Sequence, residues 1–241
     1  MNDLRRGYGS ATARTGAVAI DEGLRRYMLG VYNYMALGLA ATAFIAMAML
    51  ANQALLQTFT GPLRWVPFIG ILGIGFFGPR FIFSGSRALA HGIYWIYVAL
   101  WGALIGPWVA GFVGAGMATE VYKAFFITAS VFGAVSLWGY TTKRDLSGWS
   151  GFLGMALIGL LIAIVVNIFV ASTMMSFIIS SFVVVVVSAV TAFETQMIKS
   201  LYKEGSAMNE RASIFGAFAL YGSFVTLFVH ILNILGIMRS D

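Results

Sequence analysis

The chain contains no cysteine, only four prolines and two histidines, and few charges: of its 241 residues, 10% are Asp, Glu, Lys or Arg. Without cysteine there is no disulfide framework, no thiolate metal site and no cysteine nucleophile. A soluble domain carries about 25% charged residues, so the shortage of charge excludes an ordinary soluble enzyme. A disordered or fibrous chain is excluded as well, because 60% of the residues are hydrophobic. What the chain has instead is long apolar sequence. The apolar stretches are near-continuous and do not alternate every second residue, which argues for helices and against an outer-membrane barrel. Seven spanning helices of about 20 residues would use about 140 residues, leaving roughly 100 for connections and tails. One membrane domain therefore accounts for the whole length.

Residues 1–30 hold Arg5, Arg6, Arg14, Arg25 and Arg26 with no apolar core among them, unlike a cleavable signal peptide. They are expected to form a cytoplasmic tail, followed by a seven-helix transmembrane domain over 31–237 and a short tail at 238–241. The spans fall at about 31–51, 63–83, 92–113, 121–141, 151–171, 174–194 and 213–237. The run Val183 to Val187 favours strand by propensity. It lies inside a stretch of full spanning length, however, and in lipid the backbone must satisfy itself, so helix is expected. The turn between the fifth and sixth spans is the shortest. After the sixth span, the helix is expected to continue a turn or two before breaking at Gly205.

The basic residues orient the bundle. With the N-terminus in the cytoplasm, the inner side holds Arg5, Arg6, Arg14, Arg25, Arg26, Arg80, Arg87, Lys143, Arg144, Lys199, Lys203 and Arg211. The outer side holds only Arg64, Lys123 and Arg239. This strong positive-inside asymmetry places the C-terminus outside. The net charge of +6 thus reports topology before any acidic partner. The inner basic loops are too small for a nucleic-acid footprint.

Ionisable groups inside spans are costly and so are functional candidates. Arg80 at the inner end of the second span and Glu194 near the inner end of the sixth share a depth. The two either form a salt bridge, as a lock between helices or as part of a carboxylate gate, or snorkel separately to the cytoplasm. The seventh span carries Ser223, Thr226, His230 and Asn233 at i, i+3, i+7 and i+10, a line that Gly216 and Ala219 extend. That spacing puts all six on one helix face. The face should turn into the bundle, either as a close-packed seam with interhelical hydrogen bonds or as the wall of an ion or proton path. Gly102 and Gly106 form a GxxxG that suits packing. Trp65, Trp138, Trp149 and Tyr140 lie near span boundaries and suit an interfacial belt. Gly148-Trp149-Ser150-Gly151 has the form of the serine motif of intramembrane proteases, with His230 as the conceivable base. Ser150 sits at an inner edge and His230 toward the outer half, so their depths conflict. No phosphate-binding loop and no His/carboxylate cluster of metal-ligand spacing is present. No cofactor and no catalytic residue is expected.

The segment FGAVSLWGYTTKRDLSG at 132–148 resembles the Bax inhibitor family, the transmembrane Bax inhibitor motif proteins. The similarity extends over most of the chain, through Leu24 to Leu39, the second span as far as Arg80, TAFETQ at 191–196 and ALYGSFVTLF at 219–228. A seven-span topology agrees with bacterial members. The resemblance implies a pH-sensitive calcium leak gated by two aspartates, one on the sixth span and one on the seventh, beside an arginine on the second. Some bacterial members are also linked to a membrane-bound ATP-dependent protease. The sixth-span motif, usually Tyr-Asp-Thr-Gln, is here Phe193-Glu194-Thr195-Gln196. The seventh-span aspartate and asparagine are here Ser223 and Thr226, and Arg80 matches the arginine.

This departure has a physical consequence. Two close carboxylates share a proton, whereas one carboxylate facing a hydroxyl does not. A divalent cation also loses an anionic ligand. Two functions follow as expectations: a slow calcium leak through the inner membrane with Glu194, Arg80, Ser223, Thr226 and His230 on its path, or a non-conducting protein that modulates a membrane protease.

Overall fold

The computed structural model describes the backbone of residues 3–240 and the side chains of residues 22–239. It contains eight α-helices: α1 (Asp3–Ala51), α2 (Gln53–Thr60), α3 (Trp65–Ser84), α4 (Arg87–Gly114), α5 (Ala118–Thr141), α6 (Ser150–Val170), α7 (Thr173–Leu201) and α8 (Asn209–Ser240), with one 3₁₀ turn at Ser147–Trp149. There is no strand among the described residues, and the Val183–Val187 run is helical. Seven helices are long and apolar enough to cross a membrane: α1 from Glu22 onward, and α3 to α8. The fold is an all-helical, seven-span membrane bundle.

The helix ends follow local chemistry. Asn52, Ser86 and Ser172 each accept an amide three residues on, from Leu55, Leu89 and Met175, and so start α2, α4 and α7. The fifth and sixth spans are separated by Ala171 and Ser172 alone, with Ala171 in the left-handed conformation at φ 53. Helix α7 ends at Leu201, and the chain turns at Gly205 with φ +69. Two elements differ from the sequence reading. The backbone is helical from Asp3, so the helix of the first span starts well before residue 31. The short amphipathic α2 was not expected. The side chains of Arg5, Arg6 and Arg14 lie outside the described residues.

Helix α8 is the axis of the bundle: 67% of its most apolar stretch is buried, against 6% for α6 at the periphery. It packs on α1, α3, α4, α5 and α7. Its own Leu220, Tyr221 and Leu227 are fully buried, as is Tyr94 of α4. The Gly102/Gly106 pair is an intramolecular seam, since a Cβ at either position would run into Ile45 or Met49 of α1. Buried hydroxyls link the helices where lipid could not satisfy them. Tyr32 meets Ser136 at 2.6 Å and Ser136 meets Thr195 at 2.9 Å, joining α1, α5 and α7.

The charges assigned to two sides lie at two ends. At the basic end, Arg87 pairs with Glu210 at 2.8 Å, Arg211 donates to the Phe83 carbonyl, and Lys199 donates to the Tyr140 carbonyl. At the other end, the buried carboxylate of Glu120 receives Arg239 at 2.8 Å and Lys123 at 3.2 Å.

Candidate intramembrane site

Glu194 lies on α7 about seven residues before its end at the basic side. Its Oε2 accepts a 2.7 Å hydrogen bond from Ser223 Oγ of α8. Both residues line an open cavity of about 470 Å³ bordered by α3, α4, α6, α7 and α8. Thr226 lies on the same wall, although its hydroxyl is spent on the Gly222 carbonyl at 2.8 Å. Tyr97 of α4 closes the cavity from the side. A Cβ on Gly222 would lie 2.8 Å from the Tyr97 hydroxyl, so glycine at 222 is what lets that hydroxyl approach α8.

A second, more polar cavity of about 490 Å³ opens at the basic end, lined by Lys143, Arg144, Asp145, Ser147, Gln196 and Ser200. The two cavities share Ser150, Phe193 and Met197. Gln196 fixes the loop at this mouth, accepting the Leu146 amide and donating to the Arg144 carbonyl, both at 2.8 Å. Asp145 accepts the Ser147 amide at 2.9 Å, which holds its carboxyl below the ordinary carboxylate range.

The polar face of α8 turns toward α7, as its spacing predicts. Beyond Thr226 the line continues in a network: Ser180 Oγ lies 3.0 Å from His230 Nδ1, and the Asn233 amide donates to Ser176 at 2.8 Å and to Ser180 at 2.9 Å. Val183 and Leu227, near the network in sequence, are buried, and Val187 lines the Glu194 cavity.

The Arg80–Glu194 salt bridge is not formed. Arg80 is exposed, and among the described residues it makes no ion pair. Its neighbour Pro79 lines the cavity instead. One residue is about 100° of helix rotation, so with Pro79 turned inward Arg80 is carried to the outside, where a long cationic side chain extends to the membrane edge. The Ser150–His230 pairing fails too. Ser150 starts α6 at the basic end, while His230 is bonded to Ser180 deep in the bundle.

Sequence reasoning missed three groups. Pro79 has no amide to give the Gly75 carbonyl, and both residues line the cavity. A Pro four residues after a Gly within a span was the available signal. His91 meets the Tyr34 hydroxyl at 2.5 Å and lies 3.8 Å from Glu210, tying α1, α4 and α8 at the basic end. Glu120 lies one residue ahead of the expected span at 121–141 and so fell outside the intramembrane candidates.

Six apolar spans around a central seventh, with one carboxylate held between the sixth and the seventh, define a multi-pass helical membrane protein with a carboxylate inside its bundle. The family described as "Inhibitor of apoptosis-promoting Bax1" matches residues 24–240, and the chain belongs to this Bax inhibitor family. It is 38% identical over 228 residues to an uncharacterized protein of Rickettsia prowazekii, covering 91% of this chain and 93% of that one. It is 37% identical over 256 residues to an uncharacterized protein of Caulobacter vibrioides, covering 98% of each. It is also similar to the inner membrane protein YbhL of Escherichia coli, 34% identical over 223 residues, covering 90% of this chain and 94% of YbhL.

Proposed function

We propose that the protein is a slow, pH-sensitive cation leak pathway of the bacterial inner membrane, with calcium as the permeant ion and the N-terminus in the cytoplasm. The inner-membrane assignment rests on the name of the relative YbhL, and the orientation on the positive-inside distribution of charge. The observation that carries the leak reading is the Glu194–Ser223 contact inside a cavity that shares walls with a polar mouth at the basic end. A hard divalent cation takes oxygen ligands, six to eight when fully coordinated. The cavity offers one carboxylate, the Ser223 hydroxyl and the carbonyl that Pro79 frees at Gly75, with water to complete the shell. So sparse a set holds calcium weakly, which suits passage and not storage. Proton gain by Glu194 removes the one negative charge and frees Ser223, so the same residue serves as ligand and as sensor. The reading requires no catalysis and no cofactor.

The test is calcium entry into dye-loaded liposomes across about pH 5 to 8, where a histidine or a carboxyl in an apolar site titrates. Glu194→Gln should flatten the pH profile, and Ser223→Asp should raise the flux and steepen its pH dependence. A profile unchanged by Glu194→Gln would sink the proposal.

A second reading draws on the outward-facing Arg80 and on the resemblance, in which Ser223 stands where an aspartate is usual. It makes the protein a non-conducting partner of a membrane-bound ATP-dependent protease. Absence of flux in the parent, with flux gained by Ser223→Asp, supports it. A pull-down without a stoichiometric membrane partner counts against it.

A further inference from the structure

At the end of the bundle opposite the basic mouth, a cleft of about 320 Å³ lies between α1 and α5 and is floored by α4 and α8. Ala43, Met47, Val109, Phe125 and Phe228 are among its walls, and only Thr42 and Tyr122 of its lining carry a polar side chain. The Thr42 hydroxyl is already satisfied, donating to the Gly38 carbonyl at 3.0 Å and meeting Tyr221 Oη at 2.6 Å. Tyr122 is 67% exposed at the mouth. Water needs two to four polar partners to occupy a cavity, and the cleft walls do not supply them. Apolar cavities known to stay empty are smaller, about 150 Å³. The walls belong to membrane-spanning helices, so the medium facing the cleft is hydrocarbon.

A headgroup contact is available beside the mouth, on a residue that does not itself line the cleft. Lys123 follows Tyr122 and is half-exposed, and Arg239 shares Glu120 with it. One N–H of the Lys123 ammonium reaches Glu120, so an ammonium with three donors has two to offer elsewhere. Because lipid tails are as apolar as the walls, the hydrophobic effect does not select this site. Retention must come from filling the cleft and from a charge-assisted contact beside its mouth.

We propose that this cleft is a phospholipid site, in which one acyl chain fills the space between α1 and α5 and the phosphate rests on Lys123. The test uses the full-length protein in nanodiscs containing phosphatidylglycerol or diacylglycerol, each with a photoactivatable acyl chain, and maps the cross-linked residues. In the parent, phosphatidylglycerol should label 43–50 and 118–125 in preference to lipid-exposed positions such as Phe76 and Phe169. Ala43→Phe fills the cleft from its exposed wall and should lower that labelling several-fold, with labelling at Phe169 unchanged as the check on folding. Lys123→Gln leaves Arg239 to hold Glu120. It should bring phosphatidylglycerol labelling of the cleft down to the diacylglycerol level. Labelling spread evenly over the lipid-facing surface, or cleft labelling indifferent to both substitutions, would show annular lipid only and overturn the proposal.

Discussion

Glu194 and Ser223 meet across two helices at 2.7 Å, and a hydroxyl as the partner limits what that contact can do. A hydroxyl donates to the carboxylate but carries no charge of its own, so the pair holds one titrating group where two carboxylates would hold a shared proton. Ser223→Ala removes the donor and leaves the Glu194 oxygen without it. Hydrogen bonds to charged groups contribute about 1.5–3 kcal/mol in soluble proteins, while membrane double-mutant cycles average about 0.6 kcal/mol. A Ser223→Ala/Glu194→Gln cycle followed by unfolding in mixed micelles should therefore give a coupling of about 1 kcal/mol; a coupling indistinguishable from zero would make the contact incidental. How much of this was legible depends on the residue. The α8 stripe was readable from helical period alone, and its direction toward the bundle from the cost of polar groups in lipid. That Glu194 is the partner came only from the family resemblance. For Arg80, a salt bridge and snorkelling stayed open because hydropathy gives depth, and depth says nothing of azimuth.

At the scale of elements, the sequence pattern specified seven spans because lipid leaves the backbone one solution, and it marked the short joint between the fifth and sixth, but not the backbone conformation that makes it. The break between α6 and α7 rests on Ala171 at φ 53, a conformation that costs a β-carbon-bearing residue about 1–2 kcal/mol. Ala171→Gly removes the penalty, partly offset by the greater freedom of glycine in the unfolded chain. We expect a net stabilisation of up to about 1 kcal/mol, read as a higher midpoint of thermal unfolding in detergent. A lower midpoint would mean that the Ala171 side chain makes contacts that outweigh the strain. The first helix shows the converse limit. Residues 1–30 looked like a tail because arginines interrupt the apolar run, yet Ala and Arg favour helix without needing lipid, and the helix begins at Asp3. The short α2 had a legible start in Asn52, but at eight residues it fell below the length a membrane reading looks for.

For the molecule as a whole, the basic residues gathered at one end of the bundle place cations at the mouth of the proposed pathway. Lys143 and Arg144 border the polar cavity, with Asp145 the carboxylate between them and the Ser147 amide. Because that amide holds the Asp145 carboxyl below its ordinary value, Asp145 stays ionised throughout pH 5 to 8 and cannot be the sensor of any pH dependence seen there. The sign follows from linkage: the stabilisation it gives the loop is complete above its unfolded value and is lost only as the pH falls through the lower folded one. The mouth therefore carries a net positive charge across the working range and repels the ion it would admit. Lys143→Gln combined with Arg144→Gln reverses that sign. Local ion concentration depends exponentially on potential times valence, so the gain for calcium should be about the square of the gain for a monovalent cation. We expect a rise of about twofold for potassium and about fourfold for calcium at low ionic strength, shrinking as the Debye length falls to about 8 Å in physiological salt. Flux unchanged by the double substitution would mean that cations do not pass the basic mouth. An equal gain for both ions would mean that the loop acts by moving, and not by its charge.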